Sequence, residues 1–124
     1  MQTLINSNQI SGLMVDRIKT VSENNGTFTI PLDLNHSIYK IIPTANYTFN
    51  ISIADIAVPP DTAITFYLYV DMSNSSNAYE ATWDSSIQWG NTSPVMSALA
   101  KYLLAFTTFD GGTTWVANQM YSWL

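Results

Sequence analysis

Cysteine is absent from this chain of 124 residues, so neither a disulfide framework nor a thiolate metal site can form. Histidine occurs once, at His36, which also excludes a metal centre built from clustered imidazoles. Charge is scarce: 10% of residues are charged, against a usual ~25%. The cations are four, Arg17, Lys19, Lys40 and Lys101, scattered under a net charge of −5. Neutralising phosphates takes clustered Lys and Arg, so nucleic acid is not an expected partner. Thr, Ser or Asp interrupts every apolar run well short of the ~20 residues of a membrane-spanning helix. Residues 1–6 also lack the basic and apolar regions of a signal peptide, so no membrane association is expected.

What the chain does hold is apolar and aromatic: 47% of residues are hydrophobic and 13% aromatic. That length suits one domain with its own core. So few charges cover its surface poorly, and subunit contacts are expected to hide some of it. The hydrophobic pattern is that of strands. Residues 27–34 alternate with Phe28, Ile30, Leu32 and Leu34 on one face, and Pro31 marks an edge or bulge. Residues 47–53 alternate again, with Tyr47, Phe49, Ile51 and Ile53 inward. Shorter strands are read at 15–21, 37–42, 78–83 and 113–117, and longer ones at 63–70 and 102–109, while residues 119–124 form an apolar end. Asn25-Gly26 and Asp110-Gly111-Gly112 supply turns that need positive φ. Only residues 94–102 offer a helical turn. The expectation is an all-β fold: a single antiparallel β-sandwich, jelly-roll-like, with an N-terminal arm. Residues 1–25 form the arm and first strand, and residues 26–124 the sandwich domain.

Chemistry finds little purchase. His36 sits in a Leu34-Asn35-His36-Ser37 turn, and no Gly-x-Ser-x-Gly elbow accompanies it. It is read as a loop histidine. The nine carboxylates are spread through turns and loops without the spacing of a calcium loop. Asp33 with Asp55, or Asp84 with Asp110, would make a glycosidase pair only if the fold brought them together. No catalytic, cofactor-binding or metal residue is therefore assigned, and no cofactor is expected. Trp89, Trp115, Gly111 and Gly112 are read as structural core. Trp83 and Trp123 remain open between packing and stacking on sugar rings. Tyr67 and Tyr69 share the outer face of a central strand and, with Tyr102 and Leu104, are the candidate oligomer interface. The low charge and strands without a polar face suggest a homotrimer. In residues 1–13, Leu4, Ile5, Ile10 and Leu13 are single apolar anchors in a polar stretch. Such an arm can order on a neighbouring surface, which makes them the candidate attachment residues.

One ordered set of motifs goes further. Gly26-Thr27-Phe28-Thr29-Ile30-Pro31-Leu32-Asp33-Leu34 is followed by Ile38-Tyr39-Lys40-Ile41-Ile42 and then Asn46-Tyr47-Thr48-Phe49-Asn50-Ile51. A long strand at 64–70, a Trp89-Gly90-Asn91-Thr92-Ser93-Pro94 corner and a Thr108 to Trp115 ending with Asp110-Gly111-Gly112 complete the series. In this order they resemble a β-sandwich module of tailed-bacteriophage virion structural proteins, found in tail fibres and other particle-surface proteins. The likeness covers residues 26–117, and the Asp-Gly-Gly-Thr-Thr-Trp ending is its most specific piece. The corner departs from the pattern: it lacks a proline after Trp89, and Asn91 replaces a glycine. Trp83-Asp84 also stands where a Trp-Pro pair is common. The resemblance implies a non-enzymatic protein on the virion surface, on capsid or tail. With an arm before the module, the expectation is a capsid decoration (cement) protein or a small head or tail appendage. Its partners would be itself and other virion proteins. The alternative it implies is a receptor- or carbohydrate-binding module of a tail fibre, with a host-surface glycan as partner.

Overall fold

The computed structural model describes residues 16–90 and 92–124, together with the backbone of residues 9–10 and 13–14. Among the described residues there are eleven strands and no helix. In order they are β1 (Gln9–Ile10), β2 (Leu13–Met14), β3 (Ile18–Thr20), β4 (Thr27–Pro31), β5 (Ile38–Ile41) and β6 (Tyr47–Ser52). Then come β7 (Ile64–Asp71), β8 (Ala81–Trp83), β9 (Ile87–Trp89), β10 (Lys101–Thr108) and β11 (Trp115–Trp123). The helical turn expected within 94–102 does not form. Residues 94–100 run irregularly, with Met96 buried and Leu99 at φ 64°, and Lys101 and Tyr102 already belong to β10.

Apart from the β1–β2 pair, the strands build a six-stranded sheet of order β3-β5-β7-β10-β11-β9 and a three-stranded sheet of order β4-β6-β8. The expected antiparallel arrangement is corrected here, because both sheets carry parallel pairs. β3–β5, β5–β7 and β9–β11 run parallel in the larger sheet, and β4–β6 and β6–β8 in the smaller. Only β7–β10 and β10–β11 are antiparallel within the two large sheets. The cause is the path of the chain. From β3 to β8 each strand lies in the opposite sheet from the one before it. A strand's hydrogen-bonded neighbour is therefore two elements away, and it runs the same way.

The turn at Asn25-Gly26 shows how. Both residues take positive φ, 52° and 82°, as the Asn-Gly pair predicts. Asn24 and Thr27 form a bridge across it. The hairpin does not propagate, since β3 pairs with β5 and β4 with β6.

One core lies between the sheets. Phe28, Ile30, Tyr47 and Phe49 enter it from the three-stranded sheet, and Tyr39, Phe66, Leu104, Phe106 and Trp115 from the six-stranded one. The period-2 pattern put them there. Leu34 departs from it and is fully outside, at 89% exposure, because β4 ends at Pro31 and Leu34 itself sits in the Leu34-Asn35 turn. Phe49 joins the layers by stacking on Phe106 at 5.4 Å, and within the larger sheet Phe106 stacks on Phe66 at 5.0 Å. Trp115 meets Phe66 edge-on at 5.3 Å. Offset and edge-to-face pairs of this kind add ~0.5–1.5 kcal/mol each beyond the area they bury.

Candidate functional site

The outer face of the six-stranded sheet is the most distinctive surface. Side chains alternate along each strand, so the residues flanking the buried ones must point away from the core. On β10, Tyr102, Leu104, Phe106 and Thr108 are buried, and Lys101, Leu103, Ala105 and Thr107 are half-buried on the other side. Register then sets the rows. Leu103 lies between Tyr69 of β7 and Tyr121 of β11, and Ala105 between Tyr67 and Asn118. Trp123 stacks on Tyr69 at 5.9 Å and 19°. The result is a band of Tyr67, Tyr69, Leu103, Tyr121 and Trp123 across three strands.

Charge borders this band at one corner. Lys40 sits 5.2 Å over the Tyr69 ring and 3.7 Å from Asp71. Burial would raise the Asp71 carboxyl, but the Ser73 hydroxyl and N–H and the charges of Lys40 and Lys101 hold it below the usual carboxylate range.

Of the four expected contact residues, Tyr67 and Tyr69 lie on this face, half-buried. Tyr102 and Leu104 do not. They point inward at 4% and 0% exposure, so their side chains cannot reach a neighbouring copy. β10 is apolar on both faces because it is central in its sheet, and one of those faces is the core. Tyr121 completes the band without having been singled out from the sequence. The signal for it was present in the alternation of β10, whose partner strand places Tyr121 opposite Leu103. The expected attachment residues Leu4, Ile5, Ile10 and Leu13 lie outside the residues whose side chains are described.

Trp115 is in the core at 1% exposure, as read from the sequence. Trp89 is half-buried against the core and meets Trp83 at 4.8 Å. The turn before Trp115 is held by a buried hydroxyl. Thr108 Oγ1 donates to Asp110 Oδ1 at 2.9 Å and accepts from the Gly112 N–H at 2.8 Å, while Asp110 Oδ1 accepts the Thr114 N–H at 2.8 Å. Gly111 and Gly112 take φ of 72° and 91°, and a Cβ on Gly112 would lie 2.9 Å from Ile53 Cδ1. Glycine is required there for both reasons.

The described residues contain no cluster of three or more potential metal ligands. They do contain an Asp–His pair: His36 Nδ1 lies 2.9 Å from Asp33 Oδ1, and Lys19 Nζ lies 3.5 Å from Asp33 Oδ2. Asp33 also accepts the Asn35 N–H at 2.8 Å, and its own N–H donates to Tyr39 Oη at 3.0 Å. The buried Ser37 hydroxyl has no hydrogen-bond partner, so His36 does not activate it as a nucleophile. The pair fastens the turn between β4 and β5. Burial would raise the Asp33 carboxyl, but His36, the Asn35 N–H and Lys19 bring it below the ordinary range. Hydrogen bonds from Ser86 lower Asp84, and the Thr114 N–H lowers Asp110.

A groove of about 610 Å³ lies beside β8 and is lined by Asn46, Tyr79, Glu80, Trp83, Pro94 and Met96, among others. Trp83 is engaged from within by Phe49 at 5.1 Å and by Trp89. No family model, curated protein or solved structure matches the chain.

Proposed function

We propose that this chain is a non-catalytic structural protein of a virus particle, carried on its surface as a capsid decoration or a small head or tail appendage. Its copies associate with one another, and its two sheets act as a compact sandwich that presents contact surfaces. One observation carries this reading: the aromatic band of Tyr67, Tyr69, Leu103, Tyr121 and Trp123 on one sheet face. Large aromatics in a contiguous outer patch are characteristic of contact surfaces. The scarcity of charge supports it. The ordered motifs at 26–117 support placing the assembly on a phage particle.

A second reading has its own observation. The groove beside β8 combines Tyr79 and Trp83 with the Asn46 amide and the Glu80 carboxylate. Aromatic faces edged by such polar groups suit a sugar, which would make the chain a receptor-binding module. The two readings separate in one comparison. Purified protein is incubated with particles assembled without it and, in parallel, on a glycan array. Saturable particle binding without glycan hits supports the structural reading. Glycan binding lost on Trp83→Ala, with no particle binding, would replace it.

A further inference from the structure

β11 outruns its neighbour. Of its residues Trp115–Trp123, only Trp115, Val116 and Ala117 pair with β9, whereas β10 follows it along the other side as far as Trp123. From Asn118 to Trp123 the β9 side of the strand has no partner among the described residues. At ~3.3 Å per residue this is an open edge about 20 Å long. Its side chains are exposed, among them Met120 at 47% and Tyr121 at 63%.

Open edges are normally blunted by shortness, charge or proline, and among the described residues the other edges of the two large sheets are blunted in these ways. β3 is three residues long, contains Lys19 and follows Asp16 and Arg17. β4 contains Pro31. β8 has three residues, between Glu80 and Asp84. β9 has three and stops at Gly90. β11 alone has none of these devices: residues 111–124 carry no charged side chain at all.

We propose that the 118–123 stretch of β11 pairs edge to edge with the same stretch of a second copy, antiparallel about a two-fold axis at Met120 or Tyr121, joining two six-stranded sheets into one. This rests on the reading of the chain as a self-associating protein and names the contact. Two features select a second copy as the occupant. A chain of net charge −5 repels its own kind least where it is uncharged. The other end of the same sheet, at β3, is guarded by charge, so a head-to-tail edge contact is disfavoured and the isologous one remains. The pairing joins copies in twos. A trimer would need a further contact, for which the face carrying Tyr67 and Tyr69 is available.

The absence of cysteine allows a clean test. Single cysteines are placed in turn at residues 118–123, at Val116 and at Tyr67, and each variant is oxidised in a glutathione buffer and sized. In a two-fold antiparallel pair the residue nearest the axis faces itself at a Cα separation of ~4.5–5.5 Å, within the ~4.4–6.8 Å of a disulfide. One position near Met120 or Tyr121 should therefore give covalent dimer about ten-fold faster than Val116, whose edge is covered by β9. Met120→Lys with Ser122→Lys should convert the dimer to monomer with unchanged circular dichroism. Association that persists in the lysine variant, with fastest cross-linking at Tyr67, overturns the edge contact and leaves the structural reading standing. A monomer at every concentration overturns the edge contact, and one that also fails to assemble on particles overturns the self-associating reading with it. A monomer in which the amides of residues 118–123 exchange slowly means the chain's own first fifteen residues occupy the edge, which also overturns the proposal.

Discussion

Replacing Thr108 by Val removes one hydroxyl from the interior and leaves the side-chain shape almost intact. Thr108 is fully buried, at 0% exposure, and its Oγ1 both donates to Asp110 and accepts from Gly112. Without it the part-buried Gly112 N–H loses its acceptor, and leaving such a donor unsatisfied costs ~1–3 kcal/mol. The bond to Asp110 counts for less, because that carboxylate is exposed and water replaces the lost donor. The expected destabilisation is about 2 kcal/mol. With a urea slope of ~1–3 kcal/mol/M for a small domain, the unfolding midpoint should fall by about 1 M. Thr108→Ser provides the contrast, since it keeps the hydroxyl and removes a methyl, for about 1 kcal/mol. The order expected in urea titrations is wild type, then Ser, then Val. If Val proves as stable as wild type, or Ser falls below Val, the hydroxyl does not hold this turn and the account of the Asp-Gly-Gly ending is wrong.

Three other outcomes follow from the same geometry. Trp115→Ala should cost ~3–5 kcal/mol as a fully buried aromatic, read by chemical denaturation; unchanged stability would move Trp115 out of the core. Gly112→Ala should cost ~1–3 kcal/mol in backbone strain, with the Ile53 contact adding to it, whereas Gly26→Ala meets no atom within 4 Å and should bear the strain alone; equal thermal melts for the two would contradict the Ile53 contact. Asp33, Asp71, Asp84 and Asp110 all have folded-state pKa values below the ordinary ~3.9. Depressed carboxyls stabilise above the unfolded pKa and stop doing so as pH falls through the folded one. Melting temperature should therefore lose this contribution below about pH 4, and a protein that grows more stable on acidification from pH 5 to 3 would refute it.

The sequence patterns told which side chains face inward far better than which strands are neighbours. Phe28, Ile30, Tyr47 and Phe49 could be placed by alternation, because a period of two follows from the pleat of any strand. Direction and partner are different quantities. Nothing in the residues of β4 or β6 says that they run parallel, since the one-sided burial of a parallel strand in this fold reads the same as that of an antiparallel one. The Asn25-Gly26 turn even argued for a hairpin that its flanking strands do not continue. Tyr102 and Leu104 were misread for a related reason. A strand apolar on both faces has two candidate contacts, and only the packed fold assigns one face of β10 to the core. The open edge of β11 was invisible too, because residues 113–117 and 119–124 read as separate segments. A register shift at Leu103/Leu104 lets one continuous strand accommodate both.

Self-association can be measured directly by sedimentation velocity across micromolar concentrations, comparing the native chain with a Tyr67→Ser, Tyr69→Ser variant. The account predicts an oligomer for the native chain. Its dissociation should shift to higher concentration in the variant, with the circular dichroism spectrum unchanged. A native chain that sediments as a monomer throughout this range, and that also fails to assemble on particles, would contradict the claim that its aromatic face is a contact surface.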